Sequence, residues 1–128
     1  MLALRDLLKP SRLTSIVDVG AAFLGERPPW QRMLDEGLCS VVGFEPIPDA
    51  LDKLNATKGP NEHYSGDAIG DGGTHALHLT KHQGMVSFLE PDEAKCALFQ
   101  GFPEWAQVVQ IKRLTTRPFD LPGDAKIT

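Results

Sequence analysis

Ser15-Ile16-Val17-Asp18-Val19-Gly20 decides how this chain reads: a short β-branched run that ends on a glycine. Such a run is the pattern of a buried strand, and a glycine at its end lets the backbone turn sharply and approach a neighbour closely. Downstream, Gly25 to Pro29 is a turn-rich loop. Trp30, Met33, Leu34 and Leu38 then recur at helical spacing, and Gly37 stands where a helix C-terminus is expected. Ser40 to Phe44 is a second apolar strand. Ile47, Leu51 and Leu54 form the next helical stripe, with Pro48 in its first turn. Asn61 to Ile69 contains a third strand, predicted around His63–Ser65 and closed by Gly70-Asp71-Gly72-Gly73.

Strand, helix, strand, helix, strand is the βαβαβ order of a parallel sheet. Upstream, Met1 to Pro10 reads as a short amphipathic helix. Beyond Gly73 the order changes. His75 to Thr80 and Met85 to Leu89 read as a hairpin pair, Glu90 to Gly101 holds a short helical piece, and Val108 to Leu114 is another strand. The expected organisation is a single α/β, Rossmann-like domain over residues 1–128. Within it, 1–14 is the N-terminal helix, 15–73 the βαβαβ segment, and 74–128 a hairpin and strand insertion. Ala125-Lys126-Ile127-Thr128 reads as the approach to a further strand, so the domain is expected to be incomplete in this chain.

Bulk properties bound the function. At 41% hydrophobic and 23% charged residues, the composition is that of an ordinary globular domain. The net charge of −4, without a run of Lys or Arg, argues against a nucleic-acid or anionic-membrane surface. No apolar run approaches the ~20 residues of a membrane span, and Met1 to Pro10 lacks the uncharged core of a signal peptide. Cys39 and Cys96 form no disulfide framework, which fits two reduced thiols and a cytoplasmic location.

In an open parallel sheet, ligands bind outside the carboxyl ends of the strands. Here those ends carry Asp18-Val19-Gly20-Ala21-Ala22, Glu45-Pro46 and Asp67-Ala68-Ile69-Gly70. Glu45, at the end of the second strand, sits where an acid accepts hydrogen bonds from both hydroxyls of an adenosine ribose. Asp67 is placed to accept from the exocyclic amine of adenine, and Ile69 and Phe44 to pack on the ring faces. Each residue also has a plainer reading. Asp18 is a turn carboxylate capping local N–H groups, Glu45 a solvated strand terminus, and Asp67 a turn-former. Their order, spacing and common edge favour the ligand reading.

These stretches resemble a known family. Ile16-Val17-Asp18-Val19-Gly20-Ala21, then Val41-Val42-Gly43-Phe44-Glu45-Pro46-Ile47-Pro48, is similar to the FkbM-type methyltransferases. Tyr64 to Gly72, Ser87-Phe88-Leu89-Glu90-Pro91 and Thr115-Thr116-Arg117-Pro118-Phe119-Asp120 extend the likeness. The resemblance implies S-adenosylmethionine as cofactor and O-methylation of a small-molecule or sugar hydroxyl. It implies a first cofactor loop at Asp18, Gly20, Ala21 and Ala22, a ribose contact at Glu45 with Pro46, and an adenine contact at Asp67, Ala68 and Ile69. Ala22 stands where the family usually has Asn, which removes one polar contact.

Other residues are read more plainly. Glu90, before Pro91, is the candidate on the acceptor side. The candidate base is not legible. His75, His78 and His82 cluster in sequence, but His75 and His78 point to opposite faces of a strand, so no metal site is expected. Trp30, Phe99, Phe102 and Trp105 read as core or interface aromatics. Two alternatives stand beside the methyltransferase. A nicotinamide-dependent oxidoreductase would need Gly-x-Gly-x-x-Gly to set a helix N-terminus on a pyrophosphate, and Gly20-Ala21-Ala22 lacks the second glycine. A non-catalytic domain would bind a partner or self-associate, as a homo-oligomer, through an uncovered sheet edge.

Overall fold

A computed structural model describes Leu2 and residues 4–119. Contacts gather these residues into two compact units, the first running through Ile69 with Phe119 added and the second spanning Gly70–Pro118. The stretch Ala125 to Thr128, read above as the approach to a strand, lies outside the described residues.

In the first unit α1 (Leu4–Leu8) precedes β1 (Thr14–Val19). The chain continues through α2 (Gln31–Asp35), β2 (Cys39–Phe44), α3 (Pro48–Thr57), β3 (Glu62–Ser65) and the short β4 (Ala68–Ile69). β1, β2 and β3 form a parallel sheet in that order, with Ile16 opposite Val41 and Phe44 opposite Ser65. The three-strand parallel core and its intervening helices follow the periodicity of the sequence.

β2 is central and the most buried. Cys39 and Val41 are fully enclosed, and Phe44 and the adjacent Leu38 are nearly so. Flanked on both edges, the strand carries a mostly apolar run broken at Ser40 and Gly43, with Cys39, Val41 and Gly43 buried on one face and Ser40 and Val42 half-buried on the other. Gly43 interrupts that run for a reason of space. A Cβ there would lie 3.0 Å from the Ala21 Cβ and closer still to the Tyr64 ring. The missing side chain is the seat of Tyr64, itself buried on β3.

The helix ends are equally local. α2 closes in a Schellman turn, with Gly37 at φ +67. The Leu38 N–H donates to the Met33 carbonyl at 2.8 Å, and the Gly37 N–H to the Leu34 carbonyl at 3.0 Å. α3 opens on Pro48, where a missing N–H costs nothing.

In the second unit β5 (Thr74–Thr80) pairs antiparallel with β6 (Val108–Arg117), Thr74 opposite Thr115 and Leu79 opposite Gln110, with an irregularity at Leu79/Thr80. This differs from the hairpin read between His75–Thr80 and Met85–Leu89. Gln83–Met85 is instead a single 3-10 turn, and Ser87 makes one isolated antiparallel bridge to His78. Gly84 explains the change: its N–H donates to His82 Nδ1 at 3.1 Å, which tightens the turn and keeps the chain from extending. Two four-residue helices, α4 (Glu93–Cys96) and α5 (Phe102–Trp105), occupy the connection. Asp92 caps α4 by accepting from the Lys95 N–H at 3.1 Å. Among the described residues no helix is long and apolar enough to cross a membrane.

Candidate functional site

The parallel sheet brings the carboxyl ends of its three strands side by side, and hydrogen bonds tie them together. The Gly20 and Ala21 N–H groups donate to the Phe44 carbonyl at 2.9 and 3.1 Å, and the Glu45 N–H donates to the Ser65 carbonyl at 2.9 Å. The first loop therefore leans on the end of β2, which leans on the end of β3.

Glu45 is the hinge of this arrangement. One carboxylate oxygen accepts from the Ala22 N–H at 3.0 Å and the other from the Ile47 N–H at 2.9 Å. The side chain locks the loop after β1 to the loop after β2. A carboxylate offers about four acceptor positions, so two backbone donors leave the remainder for a ligand. Glu45 is only 4% exposed. Burial pushes its carboxyl above the usual glutamate range, and the negative charge of Asp18 adds to the rise, while the two N–H groups oppose it.

Asp18 does not act as a local turn cap. Its Oδ2 accepts from the indole N–H of Trp30 at 3.2 Å, so the acid at the end of β1 orients the residue that opens α2. Trp30 was legible only as a generic core aromatic. The available signal was Pro28-Pro29, which turns the chain back just before it.

Gly20 adopts φ +77, and a Cβ built there would meet no atom within 4 Å. The backbone at this turn therefore faces open space. Ala21 is buried and Ala22 half-buried beside it. At the third strand end, the Ser65 hydroxyl donates to Asp67 Oδ2 at 2.5 Å. Ala68 is buried and Ile69 half-buried. Phe44 is buried and meets the Phe119 ring edge-on at 6.1 Å, so its ring lies in packing.

One further constellation escaped the sequence reading. The Tyr64 hydroxyl donates to Glu62 Oε1 at 2.8 Å, and the Gly59 N–H donates to Glu62 Oε2 at 2.6 Å. Burial, the Glu62 bond and the nearby Glu62 and Asp18 charges push the Tyr64 phenol well above its usual range. Tyr64 therefore stays neutral and a hydrogen-bond donor. Gly43, opposite it in the sheet, was the readable sign of a large neighbour.

Glu90 lies in the second unit, exposed, at the rim of a cleft of that unit. His75 pairs with Asp71, Nε2 to Oδ1 at 2.7 Å, and His78 Nδ1 lies 3.3 Å from the Ser87 carbonyl. Among the described residues, no three His, Cys, Asp or Glu side chains gather in a metal-binding group.

Comparison with protein families, with curated proteins and with solved structures yields no match to this chain.

Proposed function

We propose that the first unit binds S-adenosylmethionine in a Rossmann-like, FkbM-type manner, and that the protein serves methyl transfer to a hydroxyl of a small molecule or sugar. The observation that carries this reading is the junction at Glu45. A buried acid at the end of the central parallel strand is hydrogen-bonded to the loop that follows the first strand, beside an open glycine turn. That is the place where an open α/β sheet takes a nucleoside.

In this reading Asp18, Gly20, Ala21 and Ala22 form the wall along the methionine portion. Glu45 and Pro46 hold the ribose through the acceptor positions that Ala22 and Ile47 leave, and Asp67, Ala68 and Ile69 flank the adenine. When bound, the cofactor supplies a methyl group on a sulfonium. What the protein adds is position, since displacement in line requires the acceptor oxygen, methyl carbon and sulfur to be held together. A cytoplasmic setting accords with two free thiols. A dinucleotide is disfavoured, because the first helix after the Gly20 turn begins only at Gln31 and sets no N-terminus beside the glycine.

Titration calorimetry with S-adenosylhomocysteine tests the assignment. Binding is expected, and Glu45→Ala weakens it at least tenfold more than Asp71→Ala, since a charge-assisted bond is worth about 1.5–3 kcal/mol. Circular dichroism on each variant separates lost binding from lost fold. Equal losses overturn the role of Glu45, and no binding by the folded wild-type chain overturns the cofactor.

A second reading rests on β1, which pairs with β2 on one edge and with no described strand on the other. In that reading the domain is non-catalytic and self-associates through that edge.

A further inference from the structure

The second unit holds a cleft of about 450 Å3 between β5, the α4–α5 connection and β6. That size falls in the lower range of small-molecule sites. Its walls are of two kinds. Val108 and Ile111 of β6 supply apolar surface, and Glu90, Glu93 and His78 supply polar groups. His78 is tied to the chain by its ring, with Nδ1 3.3 Å from the Ser87 carbonyl, an oxygen that can only accept. No Lys or Arg lines the cleft, and the nearby Lys95 is paired with Asp92 at 3.1 Å.

Two carboxylates beside an apolar wall, with no lining Lys or Arg, select a donor-rich cation with an apolar body. We propose that this cleft is a binding site for a small organic ammonium ion. The carboxylates of Glu90 and Glu93 take the charged head, and Val108 and Ile111 take the hydrocarbon. An anionic ligand of the same shape is repelled, and a neutral one forgoes the charge interaction. The site is built wholly within the second unit and stands independently of the cofactor reading.

The cleft carries its own reporter. Cys96 lines it and is half-buried, whereas Cys39, the other thiol of the chain, is fully enclosed in the first unit. Carbamidomethylation of Cys96 by neutral iodoacetamide, followed by mass spectrometry on the folded full chain, therefore reads occupancy at this place. Benzylammonium is the probe, with benzyl alcohol and benzoate as its neutral and anionic counterparts. Benzylammonium is expected to slow Cys96 modification saturably, while the other two leave it unchanged at the same concentrations. The double substitution Glu90→Gln, Glu93→Gln is expected to raise the half-protecting concentration about three- to tenfold, the size of two solvent-exposed charge pairs. Both residues are exposed, so the fold tolerates the change. Equal protection by benzyl alcohol, protection by benzoate, absence of protection by benzylammonium, or indifference to the double substitution would each overturn the proposal.

Discussion

The carboxylate of Glu45 and the backbone N–H of Ala22, separated by 23 residues of chain, meet at 3.0 Å. This bond couples the end of the central strand to the loop after the first, so the shape of the candidate site depends on the side chain that forms its floor. Glu45→Ala removes the acceptor for both the Ala22 and Ile47 N–H groups. A part-buried donor left without a partner costs about 1–3 kcal/mol. We expect Glu45→Ala to lose about 2–4 kcal/mol in urea unfolding of the first unit. A loss below ~0.5 kcal/mol, the range of ordinary surface substitutions, would show that water replaces the carboxylate and that the coupling is weak.

Protonation of the same residue gives a pH dependence of defined sign. The Glu45 carboxyl is raised in the folded chain, burial being the largest cause, so the native state holds its proton more tightly than the unfolded state does. Its contribution to stability is therefore greatest below the ordinary glutamate range. It falls as pH rises through the raised value, because stability declines wherever the folded state binds more protons. Other carboxylates work in the opposite direction. Asp71 and Asp92 are lowered, by the His75 bond and by the Lys95 backbone N–H respectively, and they lose their contribution on acidification. Comparing urea midpoints of wild type and Glu45→Gln from about pH 4 to 7 isolates Glu45. The wild-type protein should lose stability relative to the variant as pH rises, and parallel curves would contradict the shift.

How much of this was readable depends on whether the signal was local. β1, β2 and α3 announce themselves, since Ser15–Val19 is a β-branched run closed by Gly20, Ser40–Phe44 is a mostly apolar run closed by Glu45-Pro46, and Pro48 marks a helix start. The partner of β5 does not. Met85–Leu89 alternates as a nearby strand would, yet β5 pairs with Val108–Arg117 after two intervening helices, a choice made by non-local contacts. α5 has four residues, too few for any periodicity, although Pro103 just inside its start was a usable sign. At the site, the strand-end acids were legible as types and positions. The donors to Glu45 and the Trp30–Asp18 bond were not, because they depend on the path of the loops.

Gly43 offers a test of packing independent of ligands. Its absent side chain is where the Tyr64 ring lies, with the Ala21 Cβ 3.0 Å from the position a Cβ would take. Both neighbours are buried, and Tyr64 is held by its bond to Glu62, so neither gives way cheaply. Gly43→Ala should cost about 1–3 kcal/mol, the usual range for overpacking. The paired substitution Gly43→Ala, Tyr64→Ala should behave differently from the sum of the single changes, since removal of the ring makes room for the methyl. Additive losses would show that the clash is relieved elsewhere.

Thr116 plays the corresponding part in the second unit. Its hydroxyl accepts from the Gly72 N–H at 3.1 Å and donates to the Gly73 carbonyl at 3.0 Å, and the side chain is buried. It fixes the turn before β5 to the end of β6. Thr116→Val keeps the volume but removes both bonds, for an expected loss of about 1–3 kcal/mol. The protection of the Gly72 amide against hydrogen exchange should fall by more than that of amides near Leu77. A uniform change across β5 would mean that the hydroxyl acts on the whole sheet and not on the turn.

The last expectation concerns the edge of β1 with which no described strand pairs. Ile16 and Val17 are half-buried, while Val19 is 58% exposed and is followed by Phe23 and Leu24, at 61% and 52%. A strand edge without a partner among the described residues, beside exposed apolar side chains, is a template for another strand. The natural partner is the same edge of a second copy, which would give an isologous twofold pair with each strand answering the other. Light scattering at micromolar concentration should then show dimers that dissociate on dilution. Val19→Lys should shift the equilibrium to monomer without unfolding the chain, because an exposed lysine on an edge blocks pairing by charge and desolvation. Amide exchange along Ile16–Val19 should quicken in the same variant. A wild-type protein that stays monomeric throughout, with those amides already slow to exchange, would show that the edge is covered within the chain and that no second copy is needed.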